Sequence, residues 1–157
     1  MSPVEFEKLF QAAKAIEPAF QEHDFQQAIY LLPRWAGKAG DWEAAAEREI
    51  ARPGGLGHAG YAKVLSSVLG YGAYGFIFAE SKASWPLAEK GFEELRTTYP
   101  NSKRILNDYA YVVSVKGDDK PALKRLLEEI GPDFIAARWR DSPEYFEKMK
   151  IWANKPN

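Results

Sequence analysis

Two stretches carry the glycine spacing that can wrap a pyrophosphate, Gly-x-Gly-x-x-Gly: Gly55, Gly57 and Gly60, and again Gly70, Gly72 and Gly75. A dinucleotide site needs that spacing between a strand and a helix, with an acid about 20 residues on for the ribose. Neither stretch follows a strand. The first comes after a helical segment and Pro53, and the second lies inside a helical run with Glu80 too close to Gly75 to reach a ribose. The first therefore reads as a loop and the second as tight helix packing, and no cofactor is expected. Imidazole chemistry rests on two histidines. His23 stands between Glu22 and Asp24, but sequence neighbours on a helix do not face one another. That trio is no preformed metal cluster, and His23 reads as an exposed histidine. His58 opens a helix in a glycine loop, where it could hold a ligand, though a solvated helix start explains it as well. The adjacent acids Glu93-Glu94 and Glu128-Glu129 read as solvated helix surface. His-Glu-x-x-His, Gly-x-Ser-x-Gly and P-loop patterns are all absent. An enzyme is thus the remote alternative, needing a pocket that joins a histidine to carboxylates from other helices.

Binding chemistry is better supplied. Five Trp, eight Tyr and nine Phe make up 14% of the chain. Phe6, Phe92, Tyr109 and Trp152 read as core. Tyr111 falls on the side of its helix opposite Leu106 and Val113, together with Arg104, Asn107, Asp108 and Ser114. Arg, Tyr and Trp dominate binding energy at protein interfaces. For each such residue the alternative is a half-buried support for a neighbouring helix.

The elements that must position these residues are clearest between Tyr99 and Ile130. Pro100 stops what precedes it, and Asn101 or Ser102 can cap a helix over about 102–115. Leu106, Tyr109, Ala110 and Val113 repeat at the spacing of one buried helical face. Gly117 can end that helix in the left-handed conformation. Asp118 or Asp119 caps the next, with Pro121 in its first turn, and Ala122, Leu123, Leu126, Leu127 and Ile130 form its apolar face. A lone hairpin of this size cannot bury both faces, so neighbours of the same kind are expected.

The hairpin resembles a tetratricopeptide repeat. Leu106 stands at the family's Trp position, Tyr109-Ala110 at its Leu-Gly pair, Val113 at its aromatic, Gly117-Asp118 at its turn, Ala122 at its helix-B alanine and Leu126 at its Phe. The preceding unit offers Ala88-x-x-x-Phe92 and then Tyr99-Pro100 at the family spacing. The likeness is good over roughly 85–130 and weaker elsewhere. Glu49, for instance, stands where the family has Phe. Leu31-Leu32-Pro33-Arg34-Trp35 with Gly40-Asp41-Trp42 also looks like a block found in uncharacterised bacterial proteins with tetratricopeptide-like regions. The resemblance implies a concave groove lined by the first helix of each pair. It makes Asn107 the residue that holds a ligand's backbone, with Arg104, Asp108 and Tyr111 beside it. Tyr30, Arg34 and Trp35 of the first unit and Tyr71 and Tyr74 of the second would continue that surface.

The remaining elements follow the same logic. A helix over 3–16 places Phe6, Leu9, Phe10, Ala13 and Ile16 on one face. Residues 19–32 form a second helix, 33–40 a long loop, and Asp41 caps a helix over 42–52. A long helix runs from about His58 to Lys82, despite glycines that cost of order 1 kcal/mol each against alanine. Ser84 caps a helix to about Thr98, residues 133–139 make a short turn of helix, and Ser142-Pro143 starts a last helix to about 153. The expected fold is all-α over a single domain, 1–157. Antiparallel pairs, 19–52, 58–98 and 102–131, stack as a short right-handed solenoid between an N-terminal helix, 3–16, and a C-terminal cap, 133–154.

With 46% hydrophobic and 27% charged residues the chain can bury a core. A net charge of −1 offers no field to gather nucleic acid or anionic lipid. Cysteine is absent, which excludes disulfides. The amphipathic, acid-bearing start is unlike a signal peptide, and no apolar run reaches about 18 residues, so membrane insertion is not expected. The cytoplasm is slightly favoured, although the chain could be a fragment of a longer, exported protein. The expected function is a non-catalytic scaffold for a protein or peptide partner. The alternative is a structural segment packed on another domain or on a second copy of itself, as a homodimer.

Overall fold

The computed structural model describes residues 1–156 and is helical throughout, with no strand among the described residues. None of its helices is long and apolar enough to cross a membrane. The chain divides into two compact units, Met1–Glu94 and Leu95–Asn157.

The first unit contains α1 (Pro3–Ile16), α2 (Gln21–Tyr30), α3 (Asp41–Ile50), α4 (Gly57–Gly70), the single turn α5 (Ile77–Glu80) and most of α6 (Trp85–Thr98), inside which the boundary falls. Ser2 and Glu5 form a reciprocal capping box that starts α1 at Pro3. The face of α1 turned inward differs from expectation. Phe10 and Lys14 are buried, whereas Leu9 and Ile16 are 59% and 83% exposed. In the inner position the Lys14 ammonium meets the buried Asp24 carboxylate of α2 at 2.9 Å. α2 packs on α3 and α4, and α3 on α4. The core of this unit is Trp42, Ala45, Tyr61, Leu65, Val68, Leu69, Ile77 and Phe92, all nearly or fully buried. Asp41 begins α3 rather than capping it, since Gly40 is the N-cap and the Asp41 carboxylate accepts the Lys38 N–H at 2.8 Å.

The long helix expected from His58 to Lys82 is broken. α4 ends at Gly70, a loop spans 71–76, and Gly72 adopts φ +75°, a conformation closed to helix. The Glu80 carboxylate then accepts the N–H groups of Gly75 and Phe76 at 3.1 and 3.0 Å, satisfying donors ahead of α5. Tight packing is not the role of these glycines, because a Cβ at Gly70 or Gly72 would meet nothing within 4 Å. The close approach occurs instead at Gly91 of α6, where a Cβ would lie 2.1 Å from the His58 carbonyl oxygen.

The second unit holds the end of α6, α7 (Lys103–Lys116), α8 (Lys120–Ile130), a 3-10 turn (Ala136–Trp139) and α9 (Pro143–Ala153). Its boundaries follow the local signals. Ser102, Asp119 and Ser142 each accept an N–H of the first turn they cap, from Ile105, Ala122 and Tyr145. Gly117 ends α7 at φ +85°. α8 packs on α7 and α9, and the 3-10 turn packs on α7 and α9. Leu123, Leu126, Leu127 and Ile130 of α8 are buried, as are Trp139 and Phe146.

Candidate functional site

Four of the nine residues expected to bind a partner come together on the first unit. Tyr30, Arg34, Trp35 and Tyr71 line one open cleft of about 480 Å³, with Met1, Phe6, Gln26, Ile29 and Ala36. The cleft owes its shape to the turn after α2. There the N–H groups of Trp35 and Gly37 donate to the Leu32 carbonyl, and that of Ala36 to the Tyr30 carbonyl, winding the chain back over the helix end. Gly37 is required by this winding, since a Cβ on it would lie 1.9 Å from the Leu31 carbonyl oxygen. Wound in this way, the turn leaves Trp35 62% exposed. Phe6 and Tyr30 stack face to face with centroids 4.0 Å apart, and the Tyr30 hydroxyl donates to the Met1 carbonyl at 3.1 Å. The Arg34 guanidinium carbon lies 4.6 Å from the centre of the Tyr71 ring, within cation–π range. Tyr71 itself is 43% exposed. Tyr74 is absent from the cleft lining. Its hydroxyl accepts the Trp42 indole N–H at 3.1 Å, and burial raises its pKa. Phe6 is a core residue by its helical spacing, and only its stacking on Tyr30 reveals it as a wall of the cleft.

The other four belong to the second unit, and three of them are occupied internally. Asn107 is 0% exposed. Its amide nitrogen donates to the carbonyls of Lys103 at 2.8 Å and Asp133 at 3.0 Å. Its oxygen accepts from the Ile135 N–H at 3.1 Å and the Trp139 indole at 3.0 Å. A primary amide has two donors and two acceptor sites, so nothing remains to hold a ligand's backbone. The expected ligand-holding role of Asn107 is therefore corrected: it is an internal clamp between α7 and the segment after α8. Tyr111 is buried too, edge-on to Trp139 and Tyr145 with centroids 5.6 and 6.1 Å away. Asp108 pairs with Arg138, and burial pushes its carboxyl above the ordinary value against the pull of that guanidinium. Arg104 is exposed, 3.9 Å from the same carboxylate.

The histidines are accounted for locally. His58 Nδ1 lies 3.2 Å from a Glu94 oxygen, and the other Glu94 oxygen accepts the Ala59 N–H at 3.2 Å. His23 sits edge-on to Phe20 at 4.9 Å. Among the described residues no group of three or more His, Asp or Glu is placed to hold a metal ion. The remaining buried polar groups serve the core. Asp24 has its carboxyl pushed up by burial more than Lys14 pulls it down. Tyr61, whose hydroxyl accepts the Ser84 N–H at 2.8 Å, is pushed up to about 12 by burial. What the first unit presents to solvent is an aromatic cleft with one arginine, suited to binding by contact area and directional hydrogen bonds. No family model, curated protein or solved structure matches the chain.

Proposed function

We propose that this protein is a non-catalytic interaction module of tetratricopeptide-like design, which binds a segment of a partner protein in the cleft beside α2. The observation that carries the reading is the exposed Trp35, held by a backbone turn next to Arg34 and Tyr71. Tryptophan is costly to leave in water, and Trp, Tyr and Arg are the side chains that supply most of the energy at interfaces. The lining carries no carboxylate and no imidazole, so proton transfer has no acid–base pair to run on. The repeat-like reading is supported by α2 packing on both α3 and α4, and by the α7–α8 hairpin with its Gly117 turn.

A photo-crosslinking residue placed at Trp35 in cells that make the protein tests the reading. The expected result is a discrete adduct with another protein, absent when the same residue replaces the exposed Lys124 of α8. Identical adducts from both positions, or none from Trp35, would refute it. An adduct joining two copies of this chain would favour self-assembly instead.

A further inference from the structure

Resting on that reading of the cleft, we propose that its occupant is an extended peptide segment in which an internal Asp or Glu stands beside a large apolar residue. Charge complementarity selects the acid. Arg34 is the only lining residue with a charged side chain, and among the described residues it forms no ion pair with Asp or Glu. Its contact is the Tyr71 ring, which steadies the cation without offering its N–H groups a carboxylate. A neutral segment lying over Arg34 offers those donors only uncharged acceptors, which give weaker hydrogen bonds than a carboxylate, and a basic one would be repelled. A carboxylate takes two of the donors in a forked, charge-assisted pair.

The source of the carboxylate is a side chain rather than a chain end. Capture of a terminal carboxylate uses a nest of free backbone N–H groups. Here the N–H groups of Trp35, Ala36 and Gly37 are already given to the carbonyls of Leu32 and Tyr30. One guanidinium fork remains, which matches one side-chain carboxylate. The apolar neighbour is set by the walls, namely the exposed Trp35 indole and the stacked Phe6–Tyr30 pair. A space of about 480 Å³, open to solvent, takes a few side chains of a passing strand.

Random linear peptides displayed and selected against the whole chain provide the test, followed by affinity measurement with the leading sequence made as an acetylated, amidated peptide. Selected peptides should carry Asp or Glu next to Trp, Phe or Leu. Arg34→Gln in the protein, and Glu→Gln (or Asp→Asn) in the peptide, should each weaken binding by about tenfold or more, and together by no more than either alone. Arg34→Lys should fall between, because it keeps the charge and loses the fork. Peptides that depend on Trp35 but carry no acid, or that need a free C-terminal carboxylate, would overturn this inference and leave the cleft as a peptide site. No selected peptide, or peptides indifferent to both Trp35→Ala and Arg34→Gln, would overturn both.

Discussion

Single residues in this chain are governed by what burial does to their polar atoms. Tyr61 shows the arithmetic. Its hydroxyl is buried against the Ser84 N–H, and its pKa rises from 10.0 to about 12. The folded state therefore holds this proton more tightly than the unfolded chain does. The associated stability is present below pH 10 and is lost as pH climbs through 12. It amounts to roughly 3 kcal/mol, because each tenfold gain in proton affinity is worth about 1.4 kcal/mol. Tyr61→Phe removes that dependence. At neutral pH it should cost about 1–3 kcal/mol, because the Ser84 N–H is left unpaired. Denaturant unfolding of both proteins between pH 8 and 12 should show the gap closing toward the alkaline end. A gap that stays constant would mean that Tyr61 ionises at its ordinary value. The same reasoning separates Asn107 from Trp35. A side chain whose hydrogen bonds are all spent inside belongs to the scaffold, and a large ring left in water is available to a partner.

Helices here are started by local signals and positioned by sterics. Ser142 was legible as a start, and Ser102 and Asp119 as one of two neighbouring candidates each, because capping chemistry is confined to a few neighbouring residues. The glycines inside helical stretches were not legible, because their roles depend on what lies across from them. Gly70 meets open space while Gly91 touches α4, yet in the sequence both are glycines in helical stretches. Their alanine variants should thus have opposite signs. Gly70→Ala should leave stability unchanged or raise it by up to about 1 kcal/mol, from helix propensity alone. Gly91→Ala places a methyl on the His58 carbonyl and on the Ala62 Cβ, which lies 2.8 Å from it. It should cost about 3 kcal/mol or more after the propensity gain is subtracted. Thermal melts of the two variants check both values, and a stable Gly91→Ala would show that α4 and α6 can separate at little cost.

At the scale of the whole molecule the chain is two compact units, and the nine candidate residues are divided between them. That division can be probed through the Asn107 clamp. Asn107→Ala strands the Trp139 indole N–H and the Ile135 N–H in the second unit and should cost about 3 kcal/mol. Amide hydrogen exchange should quicken across α7, the 3-10 turn and α9, with the Tyr61–Leu69 amides of α4 unchanged. Equal acceleration in both units would show that they open as one.

Helix content, the starts near Ser102, Asp119 and Ser142 and the Gly117 turn followed from residue order alone, because capping, propensity and apolar spacing act between near neighbours. Residue type and the repeat resemblance together singled out Tyr30, Arg34, Trp35, Tyr71 and Tyr74, of which the fold gathers the first four around one cleft. Tertiary structure decided the rest. It turned Leu9 and Ile16 outward and Lys14 inward, where the Lys14 ammonium meets the buried Asp24 carboxylate. It split the long helix at Gly72 and withdrew Asn107 and Tyr111 into the core of the second unit. Each of these outcomes rests on a partner in another element or on a backbone angle that neighbouring residue types do not announce. Solvent exposure is set by what packs against a side chain, which no local spacing contains.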